Sequence, residues 1–568
     1  MARTASAVTA VTAVTASMAL AAAGVLAPAF SYAGNQPLLD GTVLSVAGKA
    51  LAGIPVEAHR ANSNVTVAVY TDARGGYSFP DWSDVRPGVY SVTIGLPDFD
   101  PVNKDGVELS GGKTQRIDLT LKSKPVAYED ATISEIIAGL PGTDHQKVLF
   151  SQCGSCHTLQ WALSTPHTKN EWAQIITKMA GKSGAQSVTP DTYAFGQKPF
   201  IEPLAAYLAA IRGPGSSDKI PFKPNPRPTA PASTNLVVTE YALPRGGQRE
   251  LYMFRGDSRF VWPHDVILDA NYAYYTDHFS FILGRLDRKT GEVRELPFPR
   301  PAGVGRDPMT ADDRPGNPDG HGAHELQFDH HGNVIIGMHM GTVKYDPKTG
   351  RFSGWASGGS MFGLDPGGNV WYEETGKLVK VDTHSETLKQ TVYPIPANDG
   401  IYDIDTDSKG RTDLYLWSNG KIGTFDPRSM EYAEYALPTP MAGPRRGEID
   451  AHDRLWAAEF YTGRIAVFDP DKKSIEEYPL IPGQKAYTAP YPMPYTTSVD
   501  DKKQVVWTTD FNSGRIYRFD MNGKKMTEYM MPSNYEVRHM KVDPTAPRLT
   551  VWLPAYRPPS KLVKIEVR

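Results

Sequence analysis

At 568 residues, with 40% hydrophobic and 22% charged content, the chain is long enough for several domains with ample core. Its 60 basic and 63 acidic residues leave a formal net charge of -3, so it offers no basic field for nucleic acid and no acidic tail. The 51 glycines and 47 prolines favour a turn-rich, mainly β, multidomain chain over one built from long helices.

The N-terminal run "TASAVTAVTAVTASMALAAAGVLAPAF" follows a single basic residue and ends near Ser31-Tyr32-Ala33, a small-x-small cleavage pattern. Residues 1–33 therefore read as a signal peptide and predict a periplasmic or secreted protein. The rival reading, a membrane anchor, lacks the length and the basic stop-transfer cluster, and no later run is apolar enough to span a bilayer.

Residues 36–124 alternate in short period-2 stretches broken by glycine turns, such as "LDGTVLSVAG" and "VRPGVYSVTIGL", and predict a small β-sandwich. The segment resembles the carboxypeptidase regulatory-like domain through Gly41-Thr42-Val43, Gly53-Ile54-Pro55-Val56, Thr71-Asp72 with Gly76-Tyr77, and Pro87-Gly88-Val89-Tyr90. That resemblance implies a scaffold or docking module without peptidase activity.

Residues 128–213 change to helical spacing in "ATISEIIAGL", "DHQKVLFSQC", "EWAQIITKMAG" and "FIEPLAAYLAAIRG", an all-α segment. It holds the only two cysteines, Cys153 and Cys156, with His157 directly after the second. A zinc site would need two further ligands at matching spacing, and a thioredoxin-like pair would need a βαβ context. Covalent haem c attachment needs what is present: two thiols three apart for the vinyl groups and an adjacent imidazole for the iron.

The segment resembles class I cytochrome c. The resemblance implies that His157 is the proximal iron ligand and makes Met179 the candidate for the sixth position, with His167 the alternative. Met179 reads equally as core filler. The "GMP" phrase that usually carries the ligand methionine is missing. Residues 214–235, rich in proline, serine and lysine, read as a semi-extended linker.

From 236 to 568 the chain repeats. Aligned on a closing aspartate, the segments are "WPHDVILD", "GAHELQFD", "SMFGLD", "GIYDID", "RRGEID", "YTTSVD" and "RHMKVD", most followed by an aromatic strand and a "GRIAVFDP"-like phrase. Four short strands per unit and seven units predict a seven-bladed β-propeller. The early "LVVTEYALP" predicts a strand that joins the last blade and closes the ring. The repeat resembles the virginiamycin B lyase (streptogramin lyase) propeller in its "P-H-x-V", "LW-x-x-E" and "G-x-I-x-x-FDP" phrases.

In a propeller the starts of first strands and the ends of second strands meet at one rim. Strand starts contribute His264, Asp265, His324, Glu325, Arg446, Tyr495, Arg538 and His539, and second-strand ends contribute Asp277, His278, His339, Glu374, Glu459 and Asp510. Imidazoles and carboxylates facing one channel suit a divalent cation or a polar substrate. The blander reading is that each satisfies backbone groups in a turn. His264, His324, Glu325, Arg446, Tyr495 and His539 are the catalytic candidates; Glu374, Glu459 and Asp510 are the candidates for a Mg2+ or Ca2+ ion. The lyase resemblance implies a histidine base of the kind of His264 or His324 beside magnesium held by carboxylates matching Glu374 and Glu459. An insert after the first blade carries Arg306, Asp312, Asp313, Arg314 and His321 and reads as a lid or docking loop. A quinoprotein dehydrogenase would call for eight blades and adjacent cysteines, neither present.

Two functions remain open. One is an exported haem oxidoreductase or electron-transfer protein whose propeller binds a small-molecule substrate or a redox partner protein. The other is a cation-dependent carbon-heteroatom lyase with an accessory haem domain.

Overall fold

The computed structural model describes residues 37–155, 157–182, 198–248, 259–298, 322–338, 341–355, 358–374, 376–384, 388–396 and 400–568. The signal-peptide reading, Cys156, the insert carrying Arg306 to His321, and His339 lie outside the described residues. No described helix is long and apolar enough to cross a membrane.

The N-terminal segment forms two facing sheets. Leu39–Ser45 pairs with Gly76–Ser78, Gln115–Arg116 and Leu119–Leu121, while Pro55–Arg60 lies between Val65–Tyr70 and Gly88–Ile94, with Val102–Leu109 beyond. The period-2 pattern explains why. Leu39, Gly41 and Val43 turn inward and their neighbours outward, so Leu39 and Val43 meet Val56, Val67, Val69, Tyr90 and Val92 in one apolar layer.

Seven four-stranded antiparallel units make the propeller. Their first strands begin at Pro263, Glu325, Gly363, Ile401, Pro444, Pro494 and Lys541, and each unit runs outward strand by strand. The outermost strand of the seventh unit is Leu236–Ala242, which pairs with Lys561–Val567 from Val567↔Leu236 to Lys561↔Ala242. The ring is thus closed by the strand that opens the domain, as its lone position in the sequence predicts. Arg288 of the first blade also pairs with Asp543 of the seventh across the seam.

Leu236–Ala242 does a second thing that the sequence reading did not anticipate. Its free edge pairs with Val65–Tyr70 of the sandwich, Val65↔Tyr241 through Val69↔Val237. One eight-stranded sheet therefore runs from the seventh blade into the N-terminal domain. Both partners would otherwise expose an unpaired row of backbone groups, and each covers the other's edge. Tyr70 adds a hydroxyl bond of 2.5 Å to the carbonyl of Met530 in the sixth blade.

Between them lie five α-helices: α1 (Ile133–Gly139), α2 (Asp144–Ser151), α3 (Leu159–Ala162), α4 (Lys169–Lys182) and α5 (Lys198–Arg212). The four longer ones fall where helical spacing predicts them. α1 begins with a reciprocal capping box between Thr132 and Glu135. Ile136, Ile137, Leu149, Phe150, Trp172, Ile176, Leu204 and Leu208 form their core, and that core continues into Phe460, Tyr461, Tyr491, Met493, Tyr495 and Phe511 of the propeller. The helices are seated on the fifth and sixth blades, with Ser134 N–H donating to Asn512 O at 3.1 Å.

Candidate functional site

The first strands of four blades share an irregularity. Their pairing slips between Pro263 and Val266, Ile401 and Ile404, Pro444 and Gly447, and Pro494 and Thr497. Each slip is a bulge that releases two consecutive residues from the ladder at the channel rim. The released pairs are His264–Asp265, Tyr402–Asp403, Arg445–Arg446 and Tyr495–Thr496. The aspartates repair the break: Asp265 accepts the Val266 N–H at 2.6 Å and Asp403 the Ile404 N–H at 2.9 Å.

With His324–Glu325 and Arg538–His539 from two further blades, these pairs form two tiers. In the first tier, the Tyr402 and Tyr495 hydroxyls lie 2.6 Å apart, and Arg445 Nη2 donates to each at 3.1 Å. The Arg445 guanidinium stands 3.9 Å from the Tyr495 ring centre, 4.3 Å from Phe460 and 4.5 Å from Tyr402. Burial opposes ionisation of Tyr495, but Arg445 and Arg538 outweigh it and hold its hydroxyl below the usual tyrosine range. Burial raises Tyr402 to about 12.

Arg446 is the hub of the second tier. Its guanidinium reaches Asp265 at 3.3 Å, Asp403 at 3.3 Å and Glu325 at 3.5 Å, tying together four blades, and only 2% of its side chain is exposed. His539 pairs with Asp265 from the seventh blade. One arginine cannot balance three buried carboxylates, so the tier holds protons. Burial pushes Asp403 up to about 8, Arg446 offsetting part of the rise. Burial and then Asp403 drive Glu325 well above the carboxylate range. Asp265 is the member that stays ionised: burial pushes it up, but His539 and Arg446 bring it below its ordinary value.

Beside these tiers stand three imidazoles. His264, His278 and His324 are all buried, and one ligand atom from each lies within 4.8 Å of the others. The ring centres are 3.9 Å apart for His264–His324, 4.6 Å for His264–His278 and 4.9 Å for His278–His324. Neither ring nitrogen of His264 has a hydrogen-bond partner among the described residues. Burial, His324 and Arg446 pull His264 well below the usual histidine range, so its ring is neutral. His278 Nδ1 is fixed by the Tyr556 hydroxyl at 2.7 Å. The second blade comes this close to the first because of Gly322: its N–H donates to His278 O at 2.8 Å, and a Cβ there would stand 1.9 Å from Ser280 O.

The cysteine motif lies against the same rim. Cys153 is half-buried in the turn Gln152–Ser155, and Arg557 Nη2 donates to the Gly154 carbonyl at 3.0 Å. Arg557 pairs with Glu536, Glu536 accepts from Arg538 Nε at 2.7 Å, and Arg538 stacks 3.9 Å over the Tyr556 ring. Contacts therefore run without a break from the motif to His278. His157 is buried, and its Nδ1 lies 3.1 Å from the Thr158 carbonyl. A carbonyl only accepts, so Nδ1 carries the proton and Nε2 keeps its lone pair, the tautomer that binds a metal. Burial brings His157 down to about 4, which keeps the ring neutral. These residues fit a covalently held haem iron. Met179 is half-buried on α4, seven residues after Trp172 and on the face that carries Trp172 and Ile176. His167 packs edge-on against Trp172 at 4.9 Å.

The structure thus gathers His264, His324, Glu325, Arg446, Tyr495 and His539 in one site. It does not gather the carboxylates expected to hold a cation. Glu374 is exposed. Glu459 accepts from Thr462 at 2.5 Å. Asp510 accepts the Met493 N–H at 2.9 Å and the Asn512 N–H at 3.0 Å. Asp277 likewise accepts the Trp262 N–H at 3.1 Å and pairs with Arg245. The end of a second strand lies beside the loop entering its own blade, so a carboxylate there binds that backbone.

Tyr402, Asp403, Arg445 and Tyr556 escaped the sequence reading. The signal for two of them was present. In five other blades the site residues stand five and four positions before the aspartate that closes the turn: Asp269, Asp329, Asp450, Asp500 and Asp543. The corresponding aspartate of the fourth blade is Asp407, whose carboxylate accepts the Lys409 and Arg411 N–H groups. "GIYDID" aligns instead on Asp405, which accepts the Tyr415 hydroxyl at 2.7 Å. The two-residue offset hid Tyr402 and Asp403.

Residues 39–122 match the family model of the carboxypeptidase regulatory-like domain. No curated protein matches the chain. Among solved structures, the chain is similar to a streptogramin B lyase, with 20% identity, a TM-score of 0.46, and coverage of 60% of this chain and 100% of that one. It is also similar to virginiamycin B lyase from Staphylococcus aureus, with 17% identity, a TM-score of 0.44, and coverage of 54% and 96%. The WD40 repeats of RRP9 give 9% identity, a TM-score of 0.42, and coverage of 58% and 100%.

Proposed function

We propose that the chain is an exported c-type haem protein, an oxidoreductase or electron-transfer protein. In this reading the propeller rim binds a small substrate or a redox partner, and a haem on Cys153, Cys156 and His157 exchanges electrons with it. The observation that carries it is the seating of the cysteine motif on the polar rim, through Arg557 to Gly154 O and through the core shared with Tyr495 and Phe511. Bound there, the haem would supply one-electron exchange. The chain's own residues do the rest. Arg445, Tyr402 and Tyr495 present hydroxyls and a cation to a polar ligand, Asp403 and Glu325 hold protons that accompany electron transfer, and the helices shield the rim from water. Export rests on the N-terminal sequence.

A magnesium-dependent lyase would need Glu374 and Glu459 beside His264 or His324, and the positions of those carboxylates favour the first reading. The test is expression of the full chain in a host that matures c-type cytochromes. Haem should remain on the denatured polypeptide, be lost in Cys153→Ala/Cys156→Ala, and show a reduced band when a candidate donor is added. A folded, matured chain without covalent haem overturns the proposal.

A further inference from the structure

We propose that His264, His278 and His324 form a transition-metal site, distinct from the haem motif and from the carboxylate set expected for magnesium or calcium. Three observations converge. The three rings place one ligand atom each within 4.8 Å of the others. His264 is fully buried with neither ring nitrogen hydrogen-bonded among the described residues, a polar group that the fold leaves for something else to satisfy. His278 is held at Nδ1 by Tyr556, which aims Nε2 at the cluster, and second-sphere partners of this kind orient metal-binding histidines.

The donor set selects the ion. Three neutral imidazoles with no carboxylate among them suit zinc or copper and not the hard, oxygen-seeking magnesium or calcium. Three protein ligands leave a further coordination position. The ligands come from rigid places: His264 from a bulge, His278 from the end of the neighbouring strand, and His324 from the first strand of the second blade, brought near by Gly322. Arg446, Arg538 and the protonated carboxyls nearby make the surroundings friendlier to anions than to a second cation, so the open position would take an anionic or hydroxyl-bearing ligand.

The untagged full chain is stripped with chelator, reloaded with Zn2+ or Co2+, and counted by elemental analysis with iron scored separately. One equivalent is expected, with Co2+ giving the intense visible bands of a four- or five-coordinate nitrogen site. The equivalent should be lost in His264→Ala and His324→Gln, and Tyr556→Phe should weaken binding roughly 10- to 100-fold without touching a ligand. Cu2+-loaded wild type should show hyperfine coupling to three imidazoles, a readout that needs no variant to fold. A folded wild type that takes up no stoichiometric ion overturns the proposal. So does one whose ion persists in folded His264→Ala/His324→Gln, or one whose copper spectrum lacks imidazole coupling.

Discussion

Replacing Arg446 by methionine keeps most of the side-chain volume and deletes the only cation that touches Asp265, Asp403 and Glu325 together. Removing one partner from a buried ion pair costs about 3–5 kcal/mol, because the remaining charge is stranded out of water. The pH dependence follows from the direction of the shifts. Asp403 titrates at about 8 when folded against 3.8 ordinarily. Its folded pKa is raised, so its contribution to stability is fully present below pH 4 and is lost as pH climbs towards 8. Without Arg446 the pKa values of Asp403 and Glu325 rise further, and the variant loses more stability than the wild type over the same window. One extra unit on one carboxyl is worth about 1.4 kcal/mol. Urea unfolding followed by tryptophan fluorescence should therefore show a wild-type-to-variant gap of about 3–5 kcal/mol at pH 8, smaller by at least about 1.4 kcal/mol at pH 5. A gap below about 1 kcal/mol at pH 8, or one of equal size at both pH values, would refute the hub role of Arg446.

Arg445→Met should move the Tyr495 hydroxyl back up in pKa, since Arg445 is the main cation holding it down; tyrosine difference absorbance read against pH checks this, and an unchanged titration counts against it. Tyr70→Phe strips the Met530 carbonyl of its hydroxyl donor and should cost about 1 kcal/mol, measured as a shift in urea midpoint with unchanged slope. Arg557→Ala should leave covalent haem attachment intact yet increase protease cleavage around Gly154, where its guanidinium now holds the loop. Gly322→Ala should displace His324, because the added methyl meets Ser280 O; the readout is weaker Co2+ uptake in a chain that still unfolds cooperatively.

Much of the architecture was readable because it is local. Period-2 runs gave the sandwich, helical spacing gave the four longer helices, and a repeat closing on aspartate gave seven blades and the closing strand Leu236–Ala242. The rim position of His264, His324, Glu325, Arg446, Tyr495 and His539 followed from the same repeat, since every blade places its first strand alike. Asp403 was lost to a two-residue misalignment, and Tyr556 could not be found that way, because it follows a second strand and reaches the site from the neighbouring blade.

What the sequence by itself determined about this protein is which residues stand at the rim and which motif could carry haem. Tertiary structure alone decided what they do for one another. Glu459 and Asp510 have the rim address of cation ligands, yet the backbone beside them takes up their oxygens. His264 and His278 share one blade while His324 comes from the next, and only the close approach at Gly322 makes them a cluster. Strand Val65–Tyr70 gave no sign that its edge continues into the seventh blade. A repeat pattern records what each blade does alone, whereas proximity across blades, and the pKa shifts that burial and neighbouring charges impose, exist only once the ring has closed.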